Sequence, residues 1–162
     1  MDLPPKNIAL PVVTQPTPIP TADLWYAQGL RFKCTGCGNC CSGTPGYVWL
    51  DDADMTRIAA FLNMPVDTFT TRYVRRVKTD YSLLEKPNFD CVFLDRKDGH
   101  TRCSIYPVRP VQCRTWPFWD MNLKSPQAWT NSAERCPGMC DADSPRHSVQ
   151  EIEKLRIETG DL

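Results

Sequence analysis

The sequence predicts an α+β fold: a small, loop-rich, metal-stabilised single domain with short helices and a small antiparallel sheet. Three observations predict it. Helical and strand-like apolar patterns alternate in short stretches. Fifteen prolines interrupt 162 residues, so no element runs long. Nine cysteines supply the ligands or cross-links that a loop-rich domain with a thin core needs.

The elements follow in order. Residues 1–22 hold six prolines and few large apolar groups, which predicts a flexible Pro-rich arm ahead of a domain spanning 23–162. Residues 34–46 are rich in Cys and Gly and read as loop. Tyr47–Leu50 is a short strand. Asp51 is placed as an N-cap, with Asp52 and Asp54 in the first helical turn. Met55, Ile58, Ala59 and Leu62 follow at helical spacing, and Pro65 ends that helix. A second helix is expected over 66–77, with Val66, Phe69, Tyr73, Val74 and Val77 on its inner side. Residues 81–85 and 91–95 read as strands, and Asp98-Gly99 as a tight turn. Residues 103–119 predict turns or short helical pieces, with Pro107 and Pro110 at first-turn positions. Residues 120–147 read as mostly loop. Ser148 and Glu151 form a capping box for a last helix over Ile152 and Leu155, stopped by Gly160.

Charge excludes one class of partner. Nineteen Lys plus Arg balance nineteen Asp plus Glu, whereas non-specific nucleic-acid binding needs an excess of cations. No run of about 18 apolar residues exists, so no membrane helix is expected. The N-terminal residues MDLPPKNIALPVV offer no uninterrupted apolar stretch for export, which predicts a cytoplasmic protein with reduced thiols. Nine cysteines in that setting indicate metal before disulfides.

Cys34-x2-Cys37-x2-Cys40-Cys41 is the densest group. Two thiolates two residues apart can grip one metal, because the intervening turn brings both sulfurs to one side. Gly36, Gly38 and Gly43 suit the tight turns this needs. Cys91, Cys103, Cys113, Cys136 and Cys140 complete the nine. Zinc sites and iron–sulfur clusters take four ligands each, so four, four and one is the simplest division. Neighbours on an extended backbone point opposite ways, so Cys40 and Cys41 are candidates for two different sites, or one of them packs as a small hydrophobe. Thiolate sites carry excess negative charge. Arg31, Lys33, Arg102, Arg114 and Arg135 adjoin cysteines and are candidates to balance it. Arg109 and Arg114 are the leading non-cysteine cofactor-site residues, since forked guanidinium donors can tie loops together or neutralise thiolates.

Around Cys34–Cys41 the chain resembles the bacterial CxxCxxCC cysteine-cluster family, the YkgJ-type zinc- or iron-chelating domain. Cys91-Val-Phe-Leu-Asp95, the run Cys103-Ser-Ile-Tyr106-Pro-Val-Arg109-Pro110-Val-Gln-Cys113-Arg114 and Cys136-Pro137-Gly138 agree with it, over roughly residues 30–140. The resemblance implies that Cys34, Cys37, Cys40, Cys41, Cys91, Cys103, Cys113 and Cys136 are the metal ligands, and it leaves Cys140 as a spare thiol. Some relatives are called flagellin lysine methylases, which makes a cluster-dependent protein lysine methylase the alternative function.

An all-thiolate set suits zinc and iron–sulfur alike. The third cysteine in ferredoxin-like register favours iron–sulfur, as do Tyr106, Trp116, Phe118 and Trp119 nearby, which can keep a cluster dry. Two sites are allowed by the count. His100 and His147 read as ordinary side chains rather than ligands. The leading function is a metal-binding module whose centres organise the fold and serve electron transfer or a protein partner. Catalysis by Asp51, Asp52 and Asp54 is weaker than their reading as helix-start acids. A disulfide-stapled secreted domain is opposed by the odd cysteine count.

Overall fold

The computed structural model describes residues 21–139 and 141–160. Cys140, the expected spare thiol, and all but the last two residues of the expected arm 1–22 lie outside the described residues. Among the described residues no helix is long and apolar enough to cross a membrane.

The chain is α+β, as expected. Its elements are β1 (Leu30–Arg31), β2 (Trp49–Leu50), α1 (Asp52–Phe61), α2 (Val66–Tyr73), β3 (Val74–Val77), β4 (Asp80–Leu83), β5 (Leu94–Lys97), β6 (His100–Cys103), α3 (Val111–Thr115), α4 (Asp120–Leu123), α5 (Pro126–Ala133), β7 (Arg146–His147) and α6 (Val149–Thr159). The sheets are small and antiparallel: β1 with β7, β2-β4-β3, and β5 with β6.

Side-chain caps open three of the six helices, α1, α5 and α6. The Asp51 carboxylate accepts the Asp54 N–H at 2.6 Å. The Ser148–Glu151 capping box is complete, and Gly160 ends α6 at φ 69°. Asp98 and Gly99, at φ 53° and 75°, turn β5 into β6. Asp54 does more than open a helix. It is buried, pairs with Arg57, and accepts the Val111 N–H at 3.4 Å. Arg57 also donates to the Arg109 carbonyl at 3.1 Å. The pair therefore ties α1 to the segment that carries Cys113.

Two expectations need correction. The helix expected over 66–77 stops at Tyr73, and Val74–Val77 pairs with β4 instead. β-branched Val74 and Val77 lose side-chain freedom in a helix and gain a ladder in the sheet. The expected loop over 120–147 contains α4 and α5. The signal for α5 was present: Ser125 caps the Ala128 N–H at 3.1 Å, and Pro126 occupies the first turn.

Two apolar clusters flank the middle of the chain. One gathers Leu50, Met55, Ile58, Phe69, Leu83, Phe93 and Ile105, with Cys91 and Cys103 against it. The other gathers Tyr26, Phe118, Trp129, Cys136, Val149 and Ile152, with Trp116 against it. Phe69 is fully buried, and its ring stacks on Phe93 at 6.4 Å. Phe69→Ala is expected to destabilise the domain by about 3–5 kcal/mol in denaturant titration. A loss below about 1 kcal/mol would mean that the first cluster is not a packed core.

Candidate metal centre

The loop from Cys34 to Cys41 is held on one side by the β5–β6 hairpin. Gly38 sits at φ 75°, and a Cβ there would come within 2.3 Å of Thr101 Cγ2. Only glycine allows that approach. A single 3-10 turn over Asn39–Cys41 follows, closed by the Cys41 N–H on the Gly38 carbonyl at 2.9 Å. This turn corrects the extended-backbone reading of Cys40 and Cys41. Their sulfurs lie 3.6 Å apart rather than on opposite sides.

Backbone bonds bring the remote cysteines to this loop. The Cys91 N–H donates to the Cys41 carbonyl at 2.7 Å. Cys103 ends β6 opposite Leu94, and Cys113 lies in α3. From the other side the Lys33 N–H donates to the Gly138 carbonyl at 3.1 Å. Asn39 Nδ2 donates to the Arg135 carbonyl at 2.8 Å. These two bonds carry Cys136 to the loop.

Cys34, Cys40, Cys41, Cys91, Cys103 and Cys113 line one partly enclosed cavity of about 110 Å³. Leu83 and Ile105 of the first cluster and Trp116 of the second complete its walls, with Tyr106 and Trp119. Cys37 and Cys136 are not on that wall. They are close enough that the charge of Cys37 acts on Cys136, which is buried beside Trp116. All eight described cysteines are free thiols. Among the described residues no three His, Cys, Asp or Glu side chains form a compact single-ion site.

Arg109 is the cation that matters to this cavity. Its guanidinium lies 3.7 Å from the Tyr106 ring centroid, and its charge favours the Cys40 thiolate and partly offsets the rise that burial causes at Cys103 and Cys113. Arg114 borders an adjoining cleft with Arg109 and pairs with Glu158 at 3.1 Å. Arg31 and Arg135 donate to the carbonyls of Ser144 and Ser42. Sequence reasoning missed Tyr47 and Gln112, which also line the cavity. Gln112 accepts the Trp49 N–H at 2.7 Å and donates to the Tyr47 carbonyl at 3.2 Å, pinning β2 to α3. No local pattern marks a glutamine for that task.

Five thiols, Cys41, Cys91, Cys103, Cys113 and Cys136, resist ionisation, and Cys40 ionises more readily. Burial pushes Cys91 up to about 11 and also raises Cys103, Cys113 and Cys136. The neighbouring thiol charges add to the rise at Cys113. A hydrogen bond from Cys41 draws Cys40 down to about 7, while the same bond, with burial, raises Cys41. A cluster of this kind releases protons when a cation arrives and holds few thiolates without one. The donor set fits a thiophilic metal or an iron–sulfur cluster: soft sulfur ligands, one cation alongside and a largely apolar wall.

One consequence concerns the metal-free protein. Folding raises the Cys91 pKa from 9.0 to about 11, so the folded state holds that proton more tightly. The stabilisation is complete below pH 9 and is lost as pH rises through about 11. The change caps this contribution at about 3 kcal/mol. The chelated protein should therefore lose stability between pH 9 and 11, and Cys91→Ala should lose less. An equal loss in both proteins would remove Cys91 as the cause.

The fold and site define a small α+β domain in which thiols from separate segments converge on one cavity. The model of the CxxCxxCC family, described as "Putative zinc- or iron-chelating domain", matches residues 33–141. That span is most of the chain, and the protein belongs to this family. It is 34% identical over 93 residues to an uncharacterized protein of Methanocaldococcus jannaschii, MJ0661, covering 57% of this chain and 48% of that protein. The chain thus spans about half the length of this curated relative. No solved structure matches.

Proposed function

We propose that this protein is an iron–sulfur protein of the cytoplasm that passes electrons to a protein partner. The cavity of about 110 Å³ ringed by six cysteines carries this reading. A single zinc holds sulfur at about 2.3 Å, so its ligands close on one another and leave no space between them. A void on the order of 150 Å³ admits a benzene molecule, so 110 Å³ of the same measure is room for a compact multi-atom body. Iron and inorganic sulfide form such a body, bound by four thiolates.

The chain's own residues have clear tasks in this reading. Cys41, Cys91, Cys103 and Cys113 hold a cluster in the cavity. Cys34 and Cys40, on the rim of the same cavity, join Cys37 and Cys136 beyond it to hold a second centre. Arg109 offsets the negative charge. Trp116, Trp119 and Tyr106 exclude water. Tyr47 and Tyr106, respectively 51% and 45% exposed, flank the cavity and offer aromatic surface to a partner. The zero net charge fits a protein partner rather than nucleic acid. No observation favours the lysine methylase alternative. Of the three acids considered for catalysis, Asp51 caps α1, Asp52 stands in its first turn and Asp54 forms a buried ion pair with Arg57.

The test is iron, zinc and acid-labile sulfide analysis on protein purified without oxygen, with its visible spectrum. Iron and sulfide in equal amounts in a brown protein support the reading. Zinc without sulfide in a colourless protein overturns it.

A further inference from the structure

Among the described residues, the buried indole N–H of Trp116 has no hydrogen-bond partner. Other tryptophans differ. Trp25 Nε1 donates to the Leu123 carbonyl at 2.7 Å, and Trp119 Nε1 donates to the Gln112 carbonyl at 3.0 Å. Leaving such a donor unpaired is unfavourable, so a specific orphan implies an acceptor that arrives with a ligand. Trp116 lines the cysteine cavity and packs against the cluster containing Cys136. A neutral thiol is a weak acceptor, and a metal-bound thiolate is a strong one.

We infer that Trp116 Nε1–H donates a hydrogen bond to the metal-bound sulfur of Cys136, which makes Trp116 a positioning residue that fixes this ligand and tunes the centre. The inference rests on the metal-site reading above but not on the identity of the metal. The bond forms when Cys136 gives up its proton and takes the metal. Donors to ligating sulfur stabilise its charge, so they raise the reduction potential of a redox centre and strengthen ligand orientation. Trp116→Phe removes the N–H and keeps most of the ring volume.

The experiment uses the full chain, ¹⁵N-labelled, in metal-free and zinc-loaded forms. The Trp116 indole resonance is assigned in the wild type, so the readout does not depend on a variant folding. Zinc is expected to move that resonance downfield, and Cys136→Ala is expected to abolish the shift. Trp116→Phe should weaken zinc retention against a chelator about tenfold, the lower end of the usual effect of such supporting residues. An indole resonance that stays in place in fully zinc-bound protein overturns the inference. So does a downfield shift that persists in Cys136→Ala. Native-metal analysis separately decides the iron–sulfur reading, so the two failures are distinguishable.

Discussion

Cys113→Ser is expected to lose at least half of the bound metal and to melt roughly 10–20 °C below the wild type. Cys113 lies in α3 and lines the cavity together with Cys91, Cys40 and Cys103. A serine hydroxyl does not release its proton to a soft metal, so the ligand is lost rather than weakened. Metal binding that occurs only in the folded state adds its free energy to folding. A loss of about 5 kcal/mol lowers the melting temperature of a domain of this size by roughly 10–20 °C. Elemental analysis and calorimetry check both parts. A chelated wild type that melts with the variant would assign the loss to metal. A variant with full metal and an unchanged melting temperature would remove Cys113 from the ligand set.

Gly138→Ala is expected to destabilise the fold by about 3–5 kcal/mol and to release metal together with that loss. An added Cβ would stand 1.9 Å from the Lys33 carbonyl oxygen, and both atoms belong to backbone or its first substituent. Neither can rotate away, so the two strands of chain must part. The Lys33–Gly138 hydrogen bond at 3.1 Å is then lost, and with it the link that holds Cys136 beside the Cys34–Cys41 loop. Gly99→Ala is the control. Gly99 also has positive φ, at 75°, but nothing lies within 4 Å of its added Cβ. Its cost should be about 1 kcal/mol, from backbone conformation alone. Equal melting temperatures for the two variants would show that Lys33 and Gly138 do not approach as described.

The candidate site was legible because cysteine is chemically distinctive and its spacing is local. Cys34, Cys37, Cys40 and Cys41 announce a chelating loop by their own pattern. Cys91, Cys103, Cys113 and Cys136 do not, and the family resemblance supplied them. Arg109 and Arg114 looked equivalent in the sequence. The structure separates them, because Arg114 meets Glu158 on α6 while the field of Arg109 reaches three thiols. That difference depends on where α6 packs, which no spacing encodes. Tyr47 and Gln112 were invisible for the same reason.

Elements divided along the same line. Asp51, Ser148 with Glu151, and Asp98-Gly99 act through bonds to residues within one turn, so the sequence by itself determined where those helices and that hairpin begin. The α5 start belonged to the same class, since Ser125 and Pro126 carry a capping signal within four residues. Val74–Val77 belonged to the other class. Its helical spacing continued from α2, but a ladder to β4 outweighed a weak local preference. Cys40 and Cys41 followed the same logic, because contact with the hairpin at Gly38 precedes the turn that aligns their sulfurs. The sequence determined the class of fold, the chelating chemistry and the capped termini, all of which depend on side chains near in the chain. The tertiary structure alone decided which thiols share a cavity, which cation serves them and which indole N–H waits beside them. Those depend on hydrogen bonds and packing between segments tens of residues apart, whose energies exist only once both clusters have formed.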